Sequence, residues 1–313
     1  MIVARNVEEI SESLESSCLT IGNFDGVHLG HQKLIRRTME KAAKHNHTCV
    51  VVTFDPHPLR VLVGPDTPPF ITLTSQKLEL IEKLGPEITL VLPFTRELAA
   101  VPPDEFVKRY LVKGMAMHEM VIGYDYAFGK GRAGNYEMLK KLGQDEGFGV
   151  ERIGPVLVEG AVVSSTRIRD LVRAGRVWDA RALLGRFYIV RGMVARGRDR
   201  GGRLLGFPTA NLKLTDELVP KTGVYAVWAV TGGKPHQAVA NIGYNPTFGN
   251  EAMSVEVHVL DFDSDLYEKT IDVHFVQRLR SEKKFDGVEQ LKEQIGRDVS
   301  LARTILASSE AQP

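Results

Sequence analysis

The chain has only two cysteines in 313 residues, which excludes a disulfide framework and fits a reducing compartment. No apolar run approaches the ~18 residues that suggest a membrane span. Where a secretory leader would be cationic, the N-terminal stretch carries Glu8, Glu9, Glu12 and Glu15. A soluble, cytoplasmic protein is expected. An excess of one charge is missing too: there are 23 basic and 23 acidic residues up to Leu184, and 17 and 16 beyond it. Neither half is a polyanion binder by net charge, so no nucleic-acid partner is expected. Internal repeats and low-complexity segments are absent, apart from a short tail after Ala307 that is expected to fray. At ~150 residues per domain the length suits two domains, each able to bury its own core.

The first half alternates strand-like and helix-like segments. Apolar runs at 18–21, 49–54, 88–94 and within 119–123 read as strands, and both cysteines, Cys18 and Cys49, read as core. Helical spacing covers 31–45, 75–84, 103–112 and 136–146. Such alternation predicts a parallel sheet with helices on both faces, whose ligands bind beyond the carboxyl ends of the strands. The loops 22–31, 55–58 and 123–129 each follow a strand and are expected to converge there. After Leu184 the pattern changes to short strands at 187–195, 224–230, 238–242, 254–260 and 271–276 with no helix between them, then a helix from about 287. This predicts a small antiparallel barrel or sandwich.

Gly22-Asn23-Phe24-Asp25-Gly26-Val27-His28-Leu29-Gly30-His31 lies where a strand hands over to a helix. Free backbone N–H groups and the helix dipole favour an anion at such a point, and glycine lets backbone approach closely. His28 and His31, three residues apart, point to one side and can donate hydrogen bonds to phosphate oxygens as charge develops. The alternatives are a metal pair, which needs further ligands, or a structural pair of histidines.

The His-x-Gly-His element resembles that of the adenylyl-transferring nucleotidyltransferases. The longer string from Gly22 to His31 is similar to that of the bacterial bifunctional riboflavin kinase and FAD synthetase family. Two further strings carry the resemblance in the expected order: Ser164-Ser165-Thr166-Arg167-Ile168-Arg169, and Gly206-Phe207-Pro208-Thr209-Ala210-Asn211, which resembles the Pro-Thr-Ala-Asn signature of riboflavin kinases. The resemblance implies an α/β fold followed by a β fold. Residues 1–184 would form a Rossmann-like FMN adenylyltransferase domain with a parallel sheet. Residues 185–313 would form a small antiparallel β-barrel riboflavin kinase domain with a terminal helix. ATP would phosphorylate riboflavin to FMN in the second domain. The FMN phosphate would then attack the α-phosphorus of another ATP in the first, giving FAD and pyrophosphate. Both steps rest on positioning and charge neutralisation, and need no protein nucleophile.

The same resemblance implies the site residues. His28 and His31 would be catalytic, with Gly22, Asn23, Gly30, Ser165, Thr166 and Arg167 on the ATP phosphates. The hydroxyls at 164–166 also read as helix N-caps. Phe54, Pro56, Asp125, Tyr126 and Phe128 would face FMN, although Phe54 and Phe128 read equally as core. In the second domain the Thr209 hydroxyl and Asn211 carbonyl are hard ligands suited to Mg²⁺, with Gly206 and Pro208 bordering ATP. The basic, glycine-rich run 196–203 would wrap a triphosphate, or is a solvated turn. Alternation along 255–259 puts the valines on one face and Glu256 with His258 on the other. Glu256 matches the family's catalytic glutamate, the general base for the riboflavin 5′ hydroxyl; alternation alone reads as a solvent-facing side chain. The run 241–249 with Arg278 and Arg280 would contact flavin, or is turn chemistry and a solvated charge pair.

Two other classes compete. One is a nucleic-acid enzyme, since His-x-Gly-His also occurs in aminoacyl-tRNA synthetases; the near-neutral halves and the Ser-Ser-Thr-Arg string oppose it. The other is a flavin-binding regulator without chemistry, opposed by the joint presence of His28, His31, Thr209, Asn211 and Glu256. Expected partners are therefore ATP, riboflavin and FMN, with no membrane or nucleic acid, in a monomer or weak homo-oligomer.

Overall fold

The computed structural model describes residues 1–195, 206–247 and 250–313. The run 196–203 and Phe248 with Gly249 lie outside these. The chain packs as two compact units, Met1–Pro68 with Thr72–Ser164, and Pro69–Ile71 with Ser165–Pro313.

The first unit is built on β1 (Ile2–Ala4), β2 (Ser17–Ile21), β3 (Thr48–Phe54), β4 (Ile88–Leu92), β5 (Met117–Gly123) and β6 (Gly149–Ile153). They form one sheet in the order β1-β4-β3-β2-β5-β6, with every pair parallel. Alternation splits β2, β3 and β5 between two cores. Leu19, Ile21, Val50, Val52, Leu90, Met120 and Ile122 face one cluster, which Phe106, Leu111, Leu139 and Leu142 complete. Cys18, Cys49, Val51 and Val121 face the other, with Leu34, Ile35, Ala42 and Ile81. A sheet buried on both faces accounts for the unbroken apolar runs. Cys18 and Cys49 are register neighbours on β2 and β3, and burial pushes the Cys18 thiol up to about 12.

Helices Leu29–His45, Thr74–Glu82 and Tyr136–Glu146 lie close to their expected positions. The span 103–112 differs: a single α-turn, Pro103–Phe106, runs into a π-helix, Val107–Lys113. The edge strands β1 and β6 carry no sequence signal, because three residues and the half-exposed Gly-Val-Glu-Arg-Ile set no apolar run. A two-stranded hairpin, β7 (Leu157–Val158) with β8 (Ala161–Val162), follows.

The second unit opens with helices Ser165–Arg173 and Val177–Leu184. Its strands β9 (Tyr188–Ala195), β10 (Ala210–Lys213), β11 (Gly223–Thr231), β12 (Lys234–Thr247), β13 (Asn250–Val259) and β14 (Thr270–Arg280) close into an antiparallel barrel, in the order β10-β13-β12-β11-β14-β9. Closure decides for the barrel over the sandwich. Helix Val288–Leu306 lays Ala302 and Leu306 against the outer wall, on Val224, Ala226, Trp228, Val239 and Val276. The tail beyond it is docked, contrary to the expected fraying. Ala311 is buried, and its carbonyl accepts from Trp228 Nε1 at 2.6 Å. Gln312 Nε2 adds hydrogen bonds to the Leu306 carbonyl at 2.9 Å and the Ser308 carbonyl at 3.1 Å, so the tail is held at several points.

Candidate active sites

In the first unit the chain order reverses between β2 and β5, so the crevice beyond their carboxyl ends is the topological switch point. The loops after β2, β3 and β5 leave from this edge, as their sequence positions require. The loop after β2 turns tightly: Phe24 (φ 49°), Gly26 (φ 86°) and Val27 (φ 37°) all have left-handed backbone. For a β-branched valine this conformation costs about 1–3 kcal/mol. Burial of Phe24 and Val27 in the core under the loop, about 1.5–3 kcal/mol each, offsets the strain.

His28 is the N-cap of Leu29–His45; its Nδ1 accepts from the His31 backbone N–H at 3.4 Å. In a neutral ring this puts the proton on Nε2. The two imidazoles stack, with centroids 3.6 Å apart and planes 18° apart, and Phe24 meets His31 edge-on at 5.3 Å. These rings crowd two of the glycines. A Cβ on Gly30 would sit 3.1 Å from His28 Cε1, and one on Gly22 would sit 3.2 Å from the Phe24 ring. Among the described residues no group of three or more His, Cys, Asp or Glu is placed to hold a metal.

Of the residues assigned to FMN, Phe54, Tyr126 and Phe128 pack against the main core of this unit. Tyr126 stacks on Phe128 at 5.3 Å, and Phe54 meets Phe94 edge-on at 5.3 Å. Burial holds the Tyr126 phenol far above its ordinary range. Pro56 follows β3 through a cis peptide, and Asp125 is exposed after β5. Ser165, Thr166 and Arg167 are the first residues of a helix in the second unit, so Ser164 takes the preceding cap position.

In the second unit a cavity of about 390 Å³ lies between the barrel's outer wall and the helix Val288–Leu306. Cross-strand register explains its polar floor. Asn211 on β10 pairs with Glu256 on β13, which pairs with Asn241 on β12. Directly paired residues share a face, so these three side chains form a row, of which Glu256 and Asn241 reach the cavity; Thr209, one residue before β10, lines it too, and Asn211 is not among its lining residues. Val255 and Val257 turn into the barrel and are fully buried. Thr209, Asn241, Glu256 and His258 line the cavity, with Leu291 and Ile295 as apolar roof. Gly206, in left-handed backbone at φ 78°, starts the turn into Pro208 and Thr209. The ring of His258 steadies that turn: its Nδ1 lies 2.8 Å from the Pro208 carbonyl, and Phe207 meets it edge-on at 5.4 Å.

The two arginines separate. Arg280 lines the cavity, and its guanidinium binds Asp298 through Nε at 2.9 Å and Nη2 at 2.8 Å. Asp298 is 4% exposed and also accepts from Gln294 at 2.9 Å, so the solvated-pair alternative fails for Arg280. Arg278 instead reaches the Thr222 carbonyl at 2.7 Å, away from the cavity lining. Asp298→Ala is expected to lower the unfolding free energy by about 3 kcal/mol, because it strands a largely buried guanidinium. Chemical denaturation measures this as a lower midpoint.

Comparison with known proteins identifies the family of both halves. The FAD synthetase family profile matches residues 10–167, and the riboflavin kinase profile matches 184–306. The protein named bifunctional riboflavin kinase/FMN adenylyltransferase from Escherichia coli K12 is 36% identical over 305 residues, 97% of each chain. Its namesake from Bacillus subtilis is 38% identical over 295 residues, 92% of each. The chain belongs to this family. A solved structure titled a macrolide-efflux protein, from Streptococcus pneumoniae, superposes with a TM-score of 0.86 at 34% identity, over 96% of this chain and 98% of that one. Among the described residues here, no helix is long and apolar enough to cross a membrane.

One group that the family strings leave out is Lys77, on helix Thr74–Glu82. It is 5% exposed, and its ammonium donates to the Asn23 carbonyl at 3.3 Å, Thr53 Oγ1 at 3.0 Å and the Phe54 carbonyl at 3.1 Å. Burial lowers its pKa to about 8 against the pull of Asp25 and Asp55. Asp25 in turn accepts from the Thr72 backbone N–H at 3.1 Å, and Thr72 Oγ1 accepts from the Gly26 N–H at 3.0 Å. In the sequence Lys77 is one charge on an amphipathic helix, with no local mark of burial.

Proposed function

We propose that the two sites divide the family's bifunctional activity between them. The barrel cavity phosphorylates riboflavin to FMN at the expense of ATP; the loop after β2 serves adenylylation of FMN by a second ATP, giving FAD and pyrophosphate. The row Asn211–Glu256–Asn241 beside Thr209 carries the kinase assignment, because it sets a carboxylate next to two hard oxygen donors at a cavity of substrate size. Glu256 takes the proton of the attacking 5′ hydroxyl. Thr209 and Asn211 would hold Mg²⁺, a choice supported by their oxygen chemistry, by Thr209's place in the cavity lining and by Asn211's register with Glu256. When bound, the ion neutralises charge on the ATP phosphates.

In the first unit His28 and His31 supply imidazole donors at a helix N-terminus, a place suited to the triphosphate as charge develops on it. Asn23, Gly22 and Gly30 shape the same loop. Phe54, Pro56, Asp125, Tyr126 and Phe128 flank the FMN side, supported by the position of Phe54 at the end of β3 and of the others after β3 and β5. The functional division at Leu184 is supported by the riboflavin kinase profile, which starts there. The enzyme in this reading is cytoplasmic, a monomer or weak homo-oligomer, and acts on small molecules alone, in keeping with its near-neutral halves.

Incubation with riboflavin, ATP and Mg²⁺, followed by chromatography of the flavins, tests the assignment. FMN rising first and FAD following supports both sites. FMN without FAD refutes the assignment of the first unit, and no conversion refutes both.

A further inference from the structure

We infer that Lys77 is a positioning residue for FMN adenylylation: its ammonium ties the loop 22–31 to the end of β3 and so holds the backbone that carries His28 and His31. The inference rests on the adenylyl-transfer reading of the first unit. Lys77 itself faces backbone and a hydroxyl, which makes its role indirect. Its three N–H groups meet three acceptors from two strand ends, Asn23 from β2 and Thr53 with Phe54 from β3. Thr53 Oγ1 passes the restraint on, donating to the same Asn23 carbonyl at 3.3 Å. The restrained carbonyl immediately precedes the left-handed residues Phe24, Gly26 and Val27. A loop in strained backbone keeps its shape only when its surroundings over-determine it. Lys77 and the Asp25–Thr72 contacts are those surroundings.

Protonation gives the role a signature. Charged Lys77 has a donor for each acceptor; the neutral amine has two donors for three. The charged groups facing it are Asp25 and Asp55, from the loops after β2 and β3, and both favour the ammonium while burial disfavours it. Adenylylation should therefore fall as pH rises through about 8. Incipient unfolding does not mimic this on Lys77's account. Its pKa is about 8 folded against 10.5 ordinarily, so across that window the unfolded chain binds more proton and Lys77's own contribution to stability rises with pH.

The test follows FAD formation from FMN and ATP against pH in the full chain, with FMN formation from riboflavin by the same preparation as reference. Wild type should show an alkaline fall in adenylylation that the kinase reaction lacks. Lys77→Met should lose on the order of 10- to 100-fold in kcat/KM for adenylylation and show a flat alkaline limb. Thr53→Val, close to isosteric, removes one acceptor of the ammonium and should move the limb to lower pH. A folded Lys77→Met protein with wild-type adenylylation overturns the inference. So does an alkaline limb that Thr53→Val leaves in place, and this second result decides the matter if Lys77→Met does not fold. Wild-type protein that forms FMN but no FAD overturns the adenylyl-transfer reading and the inference with it.

Discussion

Replacing Glu256 by alanine is expected to lower riboflavin kinase turnover by on the order of 10²–10⁴ while leaving FAD formation from supplied FMN at its wild-type rate. The reason is chemical. An alcohol is a poor nucleophile at neutral pH unless a positioned base takes its proton as the bond to phosphorus forms. Glu256 is the carboxylate in the middle of the row Asn211–Glu256–Asn241 and lines the cavity beside Thr209. Its neighbours along the strand, Val255 and Val257, are inside the barrel, so truncation at 256 leaves that core untouched. Glu256→Gln keeps the volume and removes the base, and should lose nearly as much. Steady-state rates of FMN formation and of FAD formation, measured separately on one preparation, check the result. A kinase rate unchanged in both variants would falsify the role.

His28→Ala is expected to cost adenylyl transfer roughly 10²–10³-fold, the scale of losing one oxyanion donor, with the kinase reaction unaffected. The structure gives His28 a second job that complicates the alanine variant. As N-cap it accepts from the His31 N–H, and its ring lies face to face on His31. Alanine therefore removes a cap worth about 1 kcal/mol together with the imidazole. His28→Asn separates the two contributions. Asparagine is among the best N-cap residues, yet it lacks the Nε2 donor. That variant should melt near the wild-type temperature and still lose most of the adenylyl transfer. If it keeps full FAD synthesis, the cap is all that His28 provides.

The comparison of the two variants exposes a difference in how legible the sites were. Glu256 is readable because a strand has period two: with Val255 and Val257 placed inside, Glu256 and His258 must face out. The loop 22–31 is readable because a strand, three glycines and a helix start are consecutive in the chain. What the loop does internally is less so. Gly22 and Gly30 lie close against the rings of Phe24 and His28, a close approach that spacing along the chain does not report. Sequence patterning also placed Phe54 and Phe128 equally well in a core or at a flavin. Their packing on the main hydrophobic cluster is a property of the folded sheet.

Local pattern alone determined the alternating first half, the strand-rich second half, the strand-to-helix loop 22–31 and the parity of Glu256, because each is written within a window of ten or so residues. Tertiary structure decided which distant positions meet. Asn211, Glu256 and Asn241 form one row through barrel register; Arg280 finds Asp298 on the last helix; Ala311 docks on Trp228; Lys77 ties together the ends of β2 and β3. Each pairing depends on strand order and closure, and these are set by the packing energy of the whole unit, which no local window of sequence carries.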